Sequence, residues 1–271
     1  LARALPESLL PAEDGKWSDL SVRFASAAIL GPIALAALWF GGLFWALFIN
    51  LAMAGLGYEW AVLAGRGKKS WIPAWLACVW FIACSAGMPF GLFALAVFTL
   101  LVASRDGKFA AAGLPYAAFG GLSLLWLRVQ PNHGFGDTLF IVATVWGTDI
   151  GAYAIGRVIG GRKMAPSISP GKTWSGSAGG LVTGALAGAI SVAALHGNLL
   201  VALALGAALS IAAQAGDLLE SAIKRKLGVK DSGDTIPGHG GLFDRLDGFL
   251  AASPLAVILL GFLHGGGPLW R

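Results

Sequence analysis

Apolar segments long enough to cross a bilayer recur along most of this chain, and that recurrence decides what it can fold into. A helix crossing the hydrocarbon layer needs about 20 mostly apolar residues. Nine stretches approach that criterion, at 22–40, 43–63, 71–87, 89–103, 109–129, 138–159, 176–196, 199–216 and 249–263. The fourth and ninth are short, which leaves eight or nine crossings. A soluble domain is excluded, because 12% of the 271 residues are charged and 56% hydrophobic, with mean hydropathy +0.74, where soluble domains carry about 25% charge. Forty glycines without a triplet period exclude collagen. The expected fold is an all-α polytopic integral membrane protein of about nine transmembrane helices. It forms one multi-span domain over 22–271 behind a polar tail over 1–21. That tail, with Glu7, Glu13, Asp14 and Lys16, lacks the basic start and apolar core of a signal peptide and reads as interfacial.

Lys and Arg placement orients the spans. With nine crossings and the N-terminus inside, every Lys and Arg except Arg128 and Arg271 falls on one side, which is therefore cytoplasmic. The formal charge of +5 is thus a topology signal, met by Arg66, Lys68 and Lys69 among others, and requires no nucleic acid. Trp39, Trp45, Trp71, Trp126 and Trp174 fall near span ends, where indoles favour the headgroup layer. Cys78 and Cys84 share one apolar segment and read as packing residues, since a metal site needs more ligands. Gly176, Gly180, Gly184 and Gly188 form a small-residue stripe against which a helix of this chain, or of a second subunit, approaches closely. His133, His196 and His264 lie on the opposite side and are expected to do no chemistry.

Polar residues concentrate in two cytoplasmic stretches. In the first, over 148–176, Asp149 stands inside an apolar helix, where an ionisable group is costly and points to function or to a hydrogen bond with a neighbouring helix. Tyr153 and Gly156 share its face. Gly171-Lys172-Thr173 is no P-loop, since Pro166 stands where that motif needs glycine and a membrane span, not a strand, precedes it. Arg162, Lys163 and Lys172 beside flexible glycines still suit an anion cradle. In the second stretch, over 217–247, a helix continuing past the membrane puts Asp217, Ser221 and Lys224 on one face with Glu220 alongside, and Gly228 ends it. Ile236-Pro237-Gly238-His239-Gly240-Gly241 cannot be an ordinary helix, and its glycines admit a ligand close to the backbone. Asp244 and Asp247 follow at helical spacing. Carboxylates among many cations suit a metal-bound polyphosphate, with Mg²⁺ on the carboxylates and phosphate oxygens on Lys and Arg.

The residues from Ser221 to Asp247, with Lys224-Arg225, Lys230-Asp231-Ser232-Gly233 and Ile236 through Asp247, resemble the signature of phosphatidate cytidylyltransferases, also called CDP-diacylglycerol synthases. Asp149, Ala152-Tyr153, Gly156-Arg157 and Ser169 through Trp174 resemble that family's second block, and Glu59-Trp60 a weaker third pattern. Departures fall at Gly171 and Ser175, where family members carry Lys and Glu, so neither receives a catalytic role. The resemblance implies a bacterial inner-membrane enzyme, a homodimer, that converts CTP and phosphatidic acid to CDP-diacylglycerol and pyrophosphate at the cytoplasmic face. It implies Mg²⁺, with a monovalent cation such as K⁺ beside it.

By the motif match, Asp217 and Asp244 are the expected metal-binding carboxylates with Asp247 close by. Lys224, Arg245 and His239 complete the expected catalytic group. The expected substrate-binding residues are Asp149, Tyr153, Arg157, Ser169, Lys172, Thr173, Ser221, Arg225, Lys230, Asp231, Gly240 and Gly241. Two other readings are a CTP-dependent lipid kinase, which would release CDP, and a secondary transporter, which would spread polar residues through several spans near the midplane.

Overall fold

A computed structural model describes residues 28–67, 70–233, 235–236, 240–263 and 268–270. The tail over 1–21, Lys68, Lys69, His239 and His264 lie outside the described residues. Among the described residues nine helices occur, one on each apolar stretch. They are α1 (Ala28–Phe40), α2 (Gly42–Leu63), α3 (Ile72–Ser85), α4 (Met88–Asp106), α5 (Lys108–Arg128), α6 (Gly134–Ile159), α7 (Trp174–Ala193), α8 (Leu199–Lys226) and α9 (Phe243–Leu263). Six of these, α2 and α4 to α8, are long and apolar enough to cross a membrane, while α1 and α3 are shorter apolar helices.

Local chemistry sets the helix ends. Gly107, at φ +93°, ends α4 and opens α5 in a single residue, a backbone that L side chains rarely adopt. Pro73 and Pro89 sit in the first turns of α3 and α4, where the missing N–H costs nothing. Asn198 caps α8, its side-chain oxygen accepting from Leu200 N at 3.0 Å and Val201 N at 3.3 Å. With 28 residues, α8 is roughly 42 Å long at 1.5 Å per residue, well beyond the ~30 Å hydrocarbon layer. Its charged residues, Asp217 onward, all gather at its C-terminal end.

Helix α5 is the centre of the bundle, with 67% of its apolar window buried against 22% for α4. Trp45 and Trp60 of α2 anchor to it through indole hydrogen bonds to Leu124 O (3.1 Å) and Phe109 O (3.0 Å). The glycine stripe of α7 packs on α6 of the same chain. A Cβ at Gly184 would stand 2.2 Å from Thr148 Oγ1 and 3.0 Å from Thr144 O. That approach lets hydroxyls cross-link the helices, as Thr148 Oγ1 donates to Ser210 Oγ of α8 at 2.8 Å. Outward faces carry large apolar side chains such as Leu51, Phe93, Leu100 and Ile190, which suits lipid contact. Cys78 and Cys84 are free and exposed.

One feature departs from the sequence reading. Between α6 and α7 a small antiparallel hairpin, β1 (Lys163–Ala165) with β2 (Ser169–Thr173), replaces the expected loop within an otherwise helical fold. Gly160 (φ +64°) and Gly161 (φ +100°) stop α6, and Pro170 bars a helix before Thr173, whose hydroxyl accepts from Gly176 N to cap α7. At the other end of the bundle, His133 pairs with the fully buried Asp137 at 2.5 Å. Asp137 also accepts from Leu269 N at 3.0 Å, so this pair ties the segment after α9 to α6.

Candidate active site

The C-terminal ends of α6 and α8, the N-terminal ends of α7 and α9, and the β1–β2 hairpin meet at one end of the bundle. There they enclose a cavity of about 700 Å³. Asp149, Tyr153 and Arg157 reach it from successive turns of α6. Lys163, Lys172 and Thr173 come from the hairpin, Gln214, Asp217, Glu220 and Lys224 from α8, and Asp244, Arg245 and Asp247 from α9. Helical period explains the α8 set, since positions 217, 220 and 224 fall on one face.

Three carboxylates converge. Asp217, Glu220 and Asp247 each offer an oxygen within 4.8 Å of the others. Such oxygens fit one small cation, because ligands at 2.0–2.1 Å from Mg²⁺ are separated by about 3 to 4 Å. Glu220 is 3% exposed, and its Oε1 is buried without a hydrogen-bond partner. Buried acceptors are normally satisfied, so this oxygen is what a bound cation would complete. Asp247 Oδ1 accepts only from the adjacent Gly248 N, at 2.7 Å, among the described residues.

Cations answer these charges from two sides. Lys172 Nζ lies 2.5 Å from Asp217 Oδ2, a charge contact whose angle makes no hydrogen bond. The ammonium keeps N–H groups beyond the side that faces Asp217 for an incoming oxygen. Lys224 is nearly buried and is shared between Glu220 Oε2, at 3.0 Å, and Asp244. Asp244 Oδ2 also accepts from Ser232 N, Ser232 Oγ and Gly241 N, all at 3.1 Å. Asp244 shares Lys224 with Glu220 and lines the same cavity, so the structure brings Asp217, Asp244 and Asp247 together and adds Glu220 beside them. The pattern held the signal, since Glu220 follows Asp217 by one turn of α8.

The expected substrate-binding residues divide. Asp149, Tyr153, Arg157, Lys172 and Thr173 line the cavity. Arg157 donates to Tyr153 Oη at 2.7 Å, which fixes the pair at the rim. Ser221 donates to Asp217 Oδ1 at 3.5 Å, behind the trio. Arg225 turns outward and binds the Ile168 carbonyl at the hairpin tip (3.1 Å), so it braces the hairpin. Ser169, Lys230, Asp231, Gly240 and Gly241 do not line the cavity. Gly240 and Gly241 shape the turn into α9, Gly240 at φ +78° and bridged to Ile236. The half-buried Ser177–Gln214 pair (2.5 Å) on the cavity wall escaped the sequence reading of this site.

Converging carboxylates with ammonium and guanidinium groups around them, at one end of a bundle of apolar helices, suit an enzyme that works on phosphate-bearing substrates. The family model of the cytidylyltransferase family matches residues 21–263. A phosphatidate cytidylyltransferase of Brucella melitensis is 42% identical over 253 residues, covering 89% of this chain and 93% of the relative. One of Pseudomonas aeruginosa is 37% identical over 274 residues, covering 92% and 100%. Another, of Staphylococcus saprophyticus, is 38% identical over 174 residues, covering 62% and 66%. The chain belongs to the cytidylyltransferase family.

Proposed function

We propose that this chain is a membrane nucleotidyltransferase that makes CDP-diacylglycerol and pyrophosphate from CTP and phosphatidic acid. The observation that carries the reading is the trio Asp217, Glu220 and Asp247, with Glu220 Oε1 unsatisfied and Lys172 poised beside it. Relatives that carry the name phosphatidate cytidylyltransferase along nearly their whole length support the substrate pair. The charge pattern supports nine crossings and a cytoplasmic active site in an inner membrane, and the family resemblance supports a homodimer.

In the reaction an oxygen of the phosphatidate phosphate attacks the α-phosphorus of CTP. A new P–O bond forms, the bond to the β-phosphate oxygen breaks, and pyrophosphate leaves with its electron pair. The nucleophile is already anionic, so no residue need remove a proton. Catalysis then rests on positioning and charge neutralisation. Asp217, Glu220 and Asp247 would hold Mg²⁺, which when bound supplies positive charge to the phosphate oxygens. Asp149, on the same cavity, is the carboxylate left for a monovalent cation such as K⁺. Lys172 and Lys163 from the hairpin, with Arg157 and Arg245 from the helices, orient the phosphates. Lys224 sets the position of Glu220. The cavity's place at a bundle end brings a soluble nucleotide to a lipid whose acyl chains stay in the bilayer.

Purified protein in detergent, given CTP, phosphatidate and Mg²⁺, should release pyrophosphate only when phosphatidate is present. Release of CDP instead would identify a lipid kinase and overturn the reading.

A further inference from the structure

Glu59 lies near the end of the apolar helix α2 and is 1% exposed, yet among the described residues no Lys or Arg pairs with it. Its carboxylate is satisfied from distant chain. Leu242 N donates to Oε1 at 2.6 Å, and Phe243 N and Ser232 Oγ donate to Oε2 at 2.8 Å. The first two are unpaired N–H groups at the start of α9, where negative charge is favoured. Ser232 Oγ stands between Glu59 Oε2 and Asp244 Oδ2, at 2.8 and 3.1 Å. A hydroxyl has one hydrogen to donate. With Glu59 holding it, Asp244 Oδ2 takes the backbone N–H groups of Ser232 and Gly241, and the carboxylate keeps its charge for Lys224, which bonds Oδ1 and is shared with Glu220, a member of the trio. Gly241 allows the knot to close, since a Cβ there would stand 1.8 Å from Ser232 Oγ and 2.7 Å from Glu59 Oε2.

A carboxylate that served packing alone would be an expensive choice, because burying a charge costs more than burying an amide or an apolar group of similar size. We infer that Glu59 is a positioning residue that sets cation affinity at the trio through Ser232, Asp244 and Lys224. The inference rests on the cavity being the transfer site. Removing the Glu59 charge frees the Ser232 hydroxyl for Asp244, weakens the hold of Asp244 on Lys224, and lets Lys224 compete with the cation for Glu220. Partners behind a metal ligand commonly tune affinity in this way.

The test uses the full-length purified protein in detergent and Mn²⁺ as the probe, with free Mn²⁺ followed by electron paramagnetic resonance and no substrate present. Glu59→Gln should raise the Mn²⁺ dissociation constant roughly tenfold, the low end for a group behind a ligand. Ser232→Ala alone, which leaves the helix cap intact and removes the hydroxyl that Asp244 would gain, should keep wild-type affinity. The double variant should bind Mn²⁺ more tightly than Glu59→Gln, because no hydroxyl is left to turn to Asp244. Should Glu59→Gln fail to fold, Glu59→Asp, which keeps the charge but draws it back from Ser232, carries the test and should weaken binding in the same direction. Wild-type affinity in folded Glu59→Gln or Glu59→Asp, or no recovery in the double variant, overturns the inference, even where thermal stability drops. A wild-type protein that binds no Mn²⁺ at all, or makes no CDP-diacylglycerol, instead overturns the reading of the site.

Discussion

Lys172→Ala separates a phosphate-binding lysine from one that merely tethers the hairpin. The ammonium lies 2.5 Å from Asp217 Oδ2, but the two side chains are 24% and 33% exposed and the contact lacks hydrogen-bond geometry. An ion pair of that kind contributes about 0.2–1 kcal/mol, so loss of the lysine should leave the melting temperature in detergent almost unchanged. With substrate bound, the same ammonium is expected to donate to a phosphate oxygen. A hydrogen bond to a charged group is worth about 1.5–3 kcal/mol. Its loss should lower kcat/KM for CTP roughly ten- to hundredfold, at one decade per 1.36 kcal/mol. The assay is steady-state kinetics in mixed micelles at saturating phosphatidate with CTP varied, beside a thermal melt of the same preparation. Unchanged kcat/KM in a protein that melts like wild type would refute the phosphate role. A lowered melt with normal turnover in the surviving protein would make Lys172 a tether only.

Asp247→Asn should reduce turnover and Mn²⁺ binding together by at least tenfold without lowering thermal stability, because it removes one of three crowded negative charges that has no cationic partner among the described residues. Isothermal titration and a melt on one preparation check both halves. Gly184→Ala should destabilise the bundle by about 1–3 kcal/mol, since its Cβ would stand 2.2 Å from Thr148 Oγ1, whereas Gly261→Ala meets nothing within 4 Å and should be neutral in the same melt.

The membrane helices were legible because their signal is additive over some twenty residues. Each apolar stretch became a helix, with ends displaced by a few residues where caps such as Asn198 or Gly107 take over. The hairpin was not legible, since three- and five-residue strands carry too little periodicity to separate from a glycine-rich loop. Asp149 stood out by its cost inside an apolar span, and Lys172, Asp217, Asp244 and Asp247 by spacing and motif; the structure brings all five to one cavity. Asp244 and Glu220 differ only in partners. The sequence shows two carboxylates near Asp217, while folding commits Asp244 to Lys224, Ser232 and Gly241 and leaves Glu220 Oε1 open. Glu59 carried the same signal as Asp149, a charge within an apolar span. Its purpose becomes visible only when residues 232 and 242, more than 170 positions away, close around it.

The most direct measurement follows two labels through one turnover. CTP carrying ³³P at the α-position and ³²P at the γ-position is incubated with purified protein, phosphatidate and Mg²⁺, and the lipid is extracted. Cytidylyl transfer requires ³³P in the lipid phase and ³²P in aqueous pyrophosphate, in equal amounts. Appearance of ³²P in the lipid, or of neither label, would contradict attack at the α-phosphorus and the function built on it.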